Sequence, residues 1–240
     1  MCLPFCCNAQ PGVLEQVDRF VQSNLLPASE DLRKGDLENA KRRVQAAVKE
    51  AGRFPAEQLV GQPGAFQVLA RQCMDKGLYP EAEQLLRLSA SIWEQTMGGE
   101  FEPLAAVYAD LARALRFQKR FSEADGLVRR ALILRRKGKP DRDTDAYPAF
   151  YEQAMLHADQ GRYADAERIM SDIAVAAENL SGWDQVPNLI PIYESYAQIL
   201  RRNGRAPEGA RYEARASRIR ANVAAAAAQQ EEFLKKYRGK

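Results

Sequence analysis

Apolar residues along the chain recur at helical spacing, and the stretches that contain them recur in turn. The segments 64–76, 104–118, 146–160 and 188–203 each carry a large aromatic residue followed, at helical spacing, by a small alanine. Such spacing places the two side chains on one face of an α-helix. A second run of apolar residues with the same periodicity follows each segment, so the pattern predicts a series of helix pairs.

A seven-residue phrase marks the turn between the two helices of each pair. It reads Gly-Arg-Tyr-Ala-Asp-Ala-Glu from Gly161 and Gly-Leu-Tyr-Pro-Glu-Ala-Glu from Gly77. A copy without the glycine starts at Lys119, and fainter copies start at Gly35 and Gly204. The start positions step by 42, 42, 42 and 43 residues. A fixed period of this length is typical of stacked repeats, in which each helical hairpin buries its apolar face against its neighbours.

The composition around the phrase suits a tight turn between two closely packed helices. Glycine adopts a left-handed turn conformation without steric cost. Pro80 and Pro207 fit the first turn of the helix that follows, where the missing amide hydrogen is not needed. Seven residues before each phrase lies a small residue that allows two helix backbones to approach. These residues are Ala28, Ala70, Ala112, Ala154 and Ala197.

Two stretches resemble the tetratricopeptide repeat. One is Phe66-x2-Leu69-Ala70-x2-Cys73 followed by Ala82-x3-Leu86, and the other is Tyr108-x2-Leu111-Ala112-x2-Leu115 followed by Ala124-x3-Val128. The 42-residue period and the long second helices are similar to the kinesin-light-chain type of this repeat. The resemblance implies an all-α superhelix, a tetratricopeptide solenoid of about five helical hairpins with a long C-terminal helix.

The repeats divide the chain into three parts. Residues 1–24 form an N-terminal segment with a capping helix, 25–220 the array, and 221–240 an alanine-rich, basic helical tail. The repeats are placed near 25–51, 64–97, 104–137, 146–180 and 188–220. The first is degenerate, as expected of a terminal repeat, because residues 12–34 read as a helix broken near Pro27. The last helix starts near Pro207, and the sequence leaves open whether it continues to Lys236.

Length and composition indicate an ordinary globular protein. The chain has 240 residues, of which 46% are hydrophobic and 28% charged. It contains no apolar run near the ~18 residues of a transmembrane helix, and its first residues do not resemble a secretory signal. We therefore expect a cytoplasmic protein. Three cysteines, Cys2, Cys6 and Cys7, lie close together at the N-terminus. We favour the interpretation that this terminus is frayed. The alternatives are lipid attachment, which would tether the chain to a membrane, and a partial metal site.

The residues predict no enzyme, no cofactor and no metal. His157 is the only histidine, and in its repeat it takes the place of Cys73 and Leu115 on the inward face, so we expect it to be packed in the core. Cys73 is expected to behave as a small hydrophobic residue. One further hairpin separates Cys73 from His157, which excludes a paired nucleophile and base.

The first helix of each hairpin is expected to line the concave side of the array. Positions that flank the small alanine, among them that of Ala109, should be exposed there and form a groove for a protein or peptide. The predicted groove residues are Gln67, Arg71, Met74, Asp75, Arg113, Arg116, Phe117, Tyr151, Met155, Asp159, Glu194, Gln198, Arg201 and Arg202. Arg113 and Arg116 could fork onto a carboxylate, with Tyr151 offering apolar contact. The alternative is that some of these residues pair with one another across adjacent repeats.

The resemblance also bears on the kind of partner. Tetratricopeptide domains that clamp a carboxyl-terminal peptide use Lys and Asn at these groove positions. Here Arg71, Arg113, Met155 and Gln198 stand where that clamp, and the kinesin-light-chain groove, carry Asn. This difference argues against binding of chaperone tails and against kinesin-like cargo.

Charge is concentrated at the C-terminal end. Residues 201–240 carry a net charge of +7, whereas the whole chain carries +3. A basic end on a mildly acidic body makes a nucleic acid or an anionic membrane the alternative partner, although a solvated outer face is the commoner reason for such a pattern. Self-association through the C-terminal helix is a further hypothesis.

Overall fold

The computed structural model of the chain describes residues 11–137, 147–179, 182 and 186–238. Every regular element in these ranges is a helix, and the predicted all-α fold is confirmed. The chain divides into two compact units, Met1–Pro140 and Asp141–Lys240. Cys2, Cys6 and Cys7 lie outside the described residues. The predicted single array over residues 25–220 stays a prediction.

Unit 1 consists of three helical hairpins preceded by one further helix. The first helices of consecutive hairpins contact one another, Leu26–Lys34 with Pro63–Asp75 and Pro63–Asp75 with Leu104–Phe117. The second helices Leu37–Ala51 and Tyr79–Met97 are also in contact. A short 3-10 helix, Ala56–Leu59, joins the first hairpin to the second. The α-helices are α1 (Pro11–Phe20), α2 (Leu26–Lys34), α3 (Leu37–Ala51), α4 (Pro63–Asp75), α5 (Tyr79–Met97), α6 (Leu104–Phe117) and α7 (Phe121–Lys137).

Unit 2 consists of two hairpins, and its last helix is much longer than the others. The helix Leu189–Arg202 packs against Tyr163–Glu178 and also contacts Tyr147–Asp159. The last helix runs without interruption over 33 residues, a length of about 50 Å at 1.5 Å per residue, which answers the question that the sequence left open. The helices are α8 (Tyr147–Asp159), α9 (Tyr163–Glu178), α10 (Leu189–Arg202) and α11 (Ala206–Arg238).

Close approach of the paired helices follows from the small residues. All five alanines that precede the turn phrase have a relative exposure of 0%. The alanine at the sixth place of the phrase is equally buried in four hairpins, and the fifth hairpin has Gly209 there. A Cβ atom on Gly209 would lie 2.8 Å from the carbonyl oxygen of Ala197, so α10 and α11 approach too closely for even an alanine.

The turn phrase adopts the predicted left-handed conformation. Its four opening glycines have φ angles between 75° and 79°. The third phrase lacks the glycine, and Lys119 takes the same conformation with φ of 64°. It is the one residue other than glycine with a positive φ in the described part of the chain. The repeat geometry therefore imposes this turn even where the side chain disfavours it.

The predicted helix break near Pro27 does not occur. Pro27 has no amide hydrogen to donate to the preceding turn, and the helix accommodates this with a π-helical turn, Val21–Leu25, directly before it. The turn points Asn24 inward, where its Nδ2 donates to the Phe20 carbonyl and to Glu50 of α3. The helical run therefore continues from Pro11 to Lys34, across the boundary predicted at residue 25.

Ion pairs connect the turn phrases of neighbouring hairpins. Glu83 ends the second phrase and accepts hydrogen bonds from Arg120 of the third phrase and from Gln118 just before it. Arg120 also donates to Glu123 within its own phrase. The same arrangement recurs in unit 2, with Glu167, Asn203, Arg205 and Glu208 in the four roles.

Candidate functional site

The first helices of unit 1 present a surface that mixes apolar and charged side chains. We call it the first-helix face. It consists of Leu26 on α2, Gln67, Val68, Arg71 and Asp75 on α4, and Asp110, Arg113 and Phe117 on α6. Asp110, Arg113 and Phe117 are spaced by three and four residues, which places them on one side of α6.

Asp110 organises the centre of this face. Its residue exposure is only 9%, and its Oδ2 accepts hydrogen bonds from Gln67 Nε2 at 2.7 Å and from Arg71 Nε at 2.8 Å. Both donors belong to the preceding hairpin. Gln67 and Arg71 thus form contacts across adjacent repeats, but with Asp110, which is not among the predicted groove residues, rather than with one another.

The contact to Asp110 leaves most of the Arg71 side chain accessible. That side chain is 53% exposed, and only its Nε is bound to Asp110. Within the part of the chain that the structure describes, Nη1 and Nη2 make no hydrogen bond. The guanidinium group is thus oriented by a buried carboxylate and directs its two terminal nitrogens to solvent.

Two aliphatic side chains on the first helices of unit 1 are unusually exposed. Val68, three residues before Arg71 on α4, is 55% exposed, and Leu26 on α2 is 51% exposed. Both lie two residues before the small alanine of their hairpin, the position that Asp110 occupies on α6. These positions were not among the predicted groove residues, although their change from aliphatic to acidic between hairpins is visible in the sequence.

Some residues of the predicted groove are buried rather than exposed. Met74 is 5% and Arg116 is 4% exposed, and Ala109 is also buried. Met74 and Arg116 each follow a fully buried alanine by four residues, and residues four apart share one face of a helix. Arg116 is therefore not placed to fork onto a partner's carboxylate; its guanidinium carbon lies 4.5 Å from the ring centroid of Phe117.

Phe117 forms part of an aromatic stack at the edge of the first-helix face. Its ring lies parallel to that of Tyr79, with 4.5 Å between centroids and 8° between planes. Because 41% of Phe117 is still exposed, the stack has an accessible apolar edge. Asp75 of α4 is exposed, and Arg113 of α6 is half-buried.

In unit 2, several predicted groove residues contact other residues of the unit. The Tyr151 hydroxyl lies 2.9 Å from Ser195 Oγ, which joins α8 to α10. Met155 is half-buried against the core, and Asp159, Gln198 and Arg202 are exposed. Two further residues of the set have partners on α11, in the ion pairs Glu194–Arg220 and Arg201–Glu213.

His157 differs from its predicted place in the closed core. It is half-buried and lines a cavity of about 450 Å³ between α8 and α9, together with Gln153 and Asp172. Gln153 lies one turn before His157 and occupies the position at which the second and third hairpins have Leu69 and Leu111. Two polar residues in succession thus replace apolar ones on this face of α8, which is why the face is not closed.

The described residues offer little chemistry beyond binding. Burial, and after it the negative charge of Glu81, raises the pKa of the Cys73 thiol to about 12, so Cys73 is not an activated nucleophile. No group of three His, Cys, Asp or Glu residues in the described ranges is arranged to hold a metal ion. None of the helices described is both long and apolar enough to cross a membrane.

Internal ion pairs balance much of the basic charge at the C-terminal end. Beyond Arg201 and Arg220, already named, Arg205 pairs with Glu167 and Glu208. Arg215 pairs with Glu178, with 2.9 Å between Nη1 and Oε1. A nucleic acid or an anionic membrane would have to compete with these glutamates for the same guanidinium groups.

Comparison with known proteins identifies the repeat. Residues 65–137 match the model of the tetratricopeptide repeat family. A search among curated proteins found no match.

Solved structures with the same fold cover most of the chain. BtubC (BKLC) from P. vanneervenii has a TM-score of 0.61 and 16% identity, over 88% of this chain and 87% of that chain. A kinesin-light-chain-like protein of Podosopora anserina with nearly identical TPR-like repeats has a TM-score of 0.58 and 19% identity, over 85% of this chain and 96% of that chain. The family match over residues 65–137 and this shared fold confirm the resemblance to the tetratricopeptide repeat inferred from the sequence, and the chain is similar in fold to a kinesin-light-chain-like protein.

Proposed function

We propose that this protein is a non-catalytic adaptor that binds an acidic peptide or helix of a partner protein on the first-helix face of unit 1. The tetratricopeptide fold supports a protein-interaction scaffold in general. The observation that carries the more specific proposal is the contact between Arg71 and Asp110, because it orients an exposed guanidinium group in advance of binding.

A guanidinium group has five N–H donors in a planar fork, and it binds a carboxylate best through two parallel hydrogen bonds. In Arg71 the Nε is already used by Asp110, whereas Nη1 and Nη2 point away. A partner carboxylate can accept from both terminal nitrogens without breaking the internal pair. Because Asp110 holds the side chain in place, less conformational entropy is lost on binding than for an unrestrained arginine.

The neighbours of Arg71 define the rest of the recognised segment. Val68, one turn before Arg71, and Leu26 of α2 expose aliphatic surface, and Phe117 exposes the edge of its stack on Tyr79. A segment that places an acidic residue next to a large apolar residue would match both parts of this face. In unit 2, Tyr151 and Met155 offer a second apolar contact surface.

The test is to compare two arginine-to-lysine variants of the full chain. Arg71→Lys keeps the positive charge beside Asp110 but removes the fork. Arg87→Lys on α5 is the matched control, because Arg87 also donates through Nε to a carboxylate, that of Glu83, at 2.8 Å and has a side chain 48% exposed. Binding is measured by fluorescence anisotropy against a peptide array that combines Asp or Glu with apolar residues.

We expect Arg71→Lys to weaken binding of the selected peptides about tenfold, which corresponds to ~1.4 kcal/mol, while Arg87→Lys leaves it unchanged. Replacing the peptide's acidic residue by its amide should remove the difference between wild type and Arg71→Lys. Equal binding by both variants, or selection of basic peptides by the wild type, would exclude the first-helix face as the acidic-peptide site.

A further inference from the structure

The C-terminal helix extends well beyond the helices that support it. Ala216 and Ile219 of α11 are fully buried against α10, and Val223 packs partly against the same core. From residue 224 to residue 235 every side chain of α11 is exposed. The 15 residues from 224 to Arg238 therefore project about 22 Å past the hairpin.

The apolar seam that binds α11 to α10 continues into this projecting part. Ile219 and Val223 are followed at alternating intervals of three and four residues by Ala226, Gln230 and Phe233. This is the spacing of a seam between two packed helices. Phe233 is 58% exposed and the adjacent Leu234 is 43% exposed. Among the described residues no other helix covers this continuation of the seam; Pro187, just ahead of α10, lines a cavity together with Ala226 and Gln230.

The first half of the projecting segment carries small side chains, and the second half carries large ones. Residues 224–228 are all alanine, whereas the next seam position carries Phe233 beside Leu234. An antiparallel pair of identical segments, centred between Gln229 and Gln230, places Phe233 opposite Ala226 of the other copy. The same alignment places Leu234 opposite position 225, and two-fold symmetry makes each contact twice.

We propose that the projecting part of α11 pairs with the same segment of a second copy in antiparallel orientation. Large residues then pack against small ones along the seam. Glu231 and Glu232 face alanines of the other copy rather than carboxylates, so no like charges are brought into contact. The two Gln230 side chains meet near the symmetry axis, where a polar residue in an apolar seam fixes the register.

The size of this interface sets the strength of the association. Two helical segments of this length bury less than the ~1,200 Å² at the lower end of stable interfaces. The dimer is therefore weak and forms at micromolar concentrations and above. Its formation does not involve the first-helix face of unit 1, so the binding proposed there is independent of it.

Sedimentation equilibrium of the full chain between 1 and about 300 μM provides the first test of this association. The wild type should show a monomer–dimer equilibrium, and the double variant Phe233→Ser/Leu234→Ser should weaken it at least tenfold. Val175→Ser is the control, because Val175 on α9 is exposed to a similar 57% and lies outside the seam. A wild type that is monomeric throughout, or a double variant that associates equally well, would overturn the proposal.

A volume exchange tests the pairing of Phe233 with position 226. Ala226→Phe alone should place two phenylalanines opposite each other and weaken the dimer. Ala226→Phe combined with Phe233→Ala again places a large residue opposite a small one and should restore association. Failure of the combined variant to associate, with helical content unchanged by circular dichroism, contradicts this pairing.

Spin labels distinguish the orientation of the two helices. In a background with Cys2, Cys6 and Cys7 changed to Ser, a label at Gln229→Cys lies close to its counterpart in either orientation. A label at Ala221→Cys lies about 25 Å from its counterpart in the antiparallel pair, from 1.5 Å per residue along the helix. A short distance at both positions indicates a parallel pair and overturns the proposal.

Discussion

Arg120 binds Glu83 of the preceding hairpin through a single nitrogen, with Nη1 2.8 Å from Oε1 and 2.7 Å from Oε2. Its other donors, Nε and Nη2, bind the two oxygens of Glu123 at 2.6 Å. One arginine thus joins its own turn phrase to the previous one. Arg205 repeats this arrangement with Glu167 and Glu208 in unit 2, so the same ion pair joins two consecutive turn phrases in each unit.

The first prediction concerns the response of this ion pair to acid. Burial by itself would raise the pKa of Glu83, but hydrogen bonds from Arg87, Gln118 and Arg120 outweigh burial and lower the pKa below its usual 4.5. A lowered pKa in the folded state means that Glu83 contributes stability above pH 4.5 and loses this contribution as the pH falls further. Glu83→Gln should reduce the free energy of unfolding at pH 7 by about 1–2 kcal/mol.

Urea unfolding followed by the fluorescence of Trp93, in a Trp183→Phe background, measures this effect in unit 1. The difference between wild type and Glu83→Gln should shrink as the pH falls toward 3. The exposed Glu57, which forms no ion pair within the described chain, provides the control variant Glu57→Gln. A Glu83→Gln effect of constant size at all pH values would contradict the assignment.

The second prediction concerns the left-handed turn at Lys119. An L-residue in this conformation is strained, whereas glycine is not. Lys119→Gly should therefore stabilise unit 1 by about 0.5–1 kcal/mol, in spite of losing the contact between the Lys119 amine and the Phe121 ring at 5.7 Å. The same urea titration measures it.

A substitution at Gly77 should change the stability of unit 1 in the opposite direction. Gly77 has φ of 75°, and a Cβ atom there would meet nothing within 4 Å. Gly77→Ala should thus destabilise unit 1 through backbone conformation alone, by about 1 kcal/mol. If both substitutions shift stability in the same direction, turn conformation is not the cause.

The third prediction compares two glycines within helices. Gly209→Ala places a Cβ atom 2.8 Å from the Ala197 carbonyl oxygen and should destabilise the protein by about 1–3 kcal/mol, because backbone has to shift. Gly126→Ala in α7 meets nothing within 4 Å and should stabilise it by about 0.5–1 kcal/mol, because alanine favours the helix. Thermal unfolding followed by circular dichroism at 222 nm measures both; a neutral Gly209→Ala would show that α10 and α11 are less tightly packed.

The fourth prediction concerns the reactivity of Cys73. With its pKa raised to about 12 by burial, the thiol stays protonated at pH 8 and is shielded from reagents. In a background with Cys2, Cys6 and Cys7 changed to Ser, 5,5′-dithiobis(2-nitrobenzoic acid) should label Cys73 only after denaturation. Rapid labelling of the native protein would contradict the burial of this residue.

The repeat and the local geometry within it follow from the order of the amino acids alone. Period and helical spacing identify which residues face inward, and the small alanine before each phrase is buried in all five hairpins. The phrase also specifies the turn, because its glycines adopt the left-handed conformation and Lys119 adopts the same conformation in the phrase that lacks a glycine. These features depend on residues within one turn of helix of each other, and such relationships can be read along the chain.

Which long side chains are accessible depends instead on the packing between helices that are distant in the chain. The pairing of Gln67 and Arg71 with Asp110 spans 43 and 39 residues, and it depends on how closely α4 and α6 pack. Met74 and Arg116 are buried, whereas the polar Gln153 and His157 line a cavity beside α8. Periodicity gives the direction of a side chain from its own helix axis but not the distance to the next helix, and that distance decides whether a charged group binds a neighbour or faces solvent.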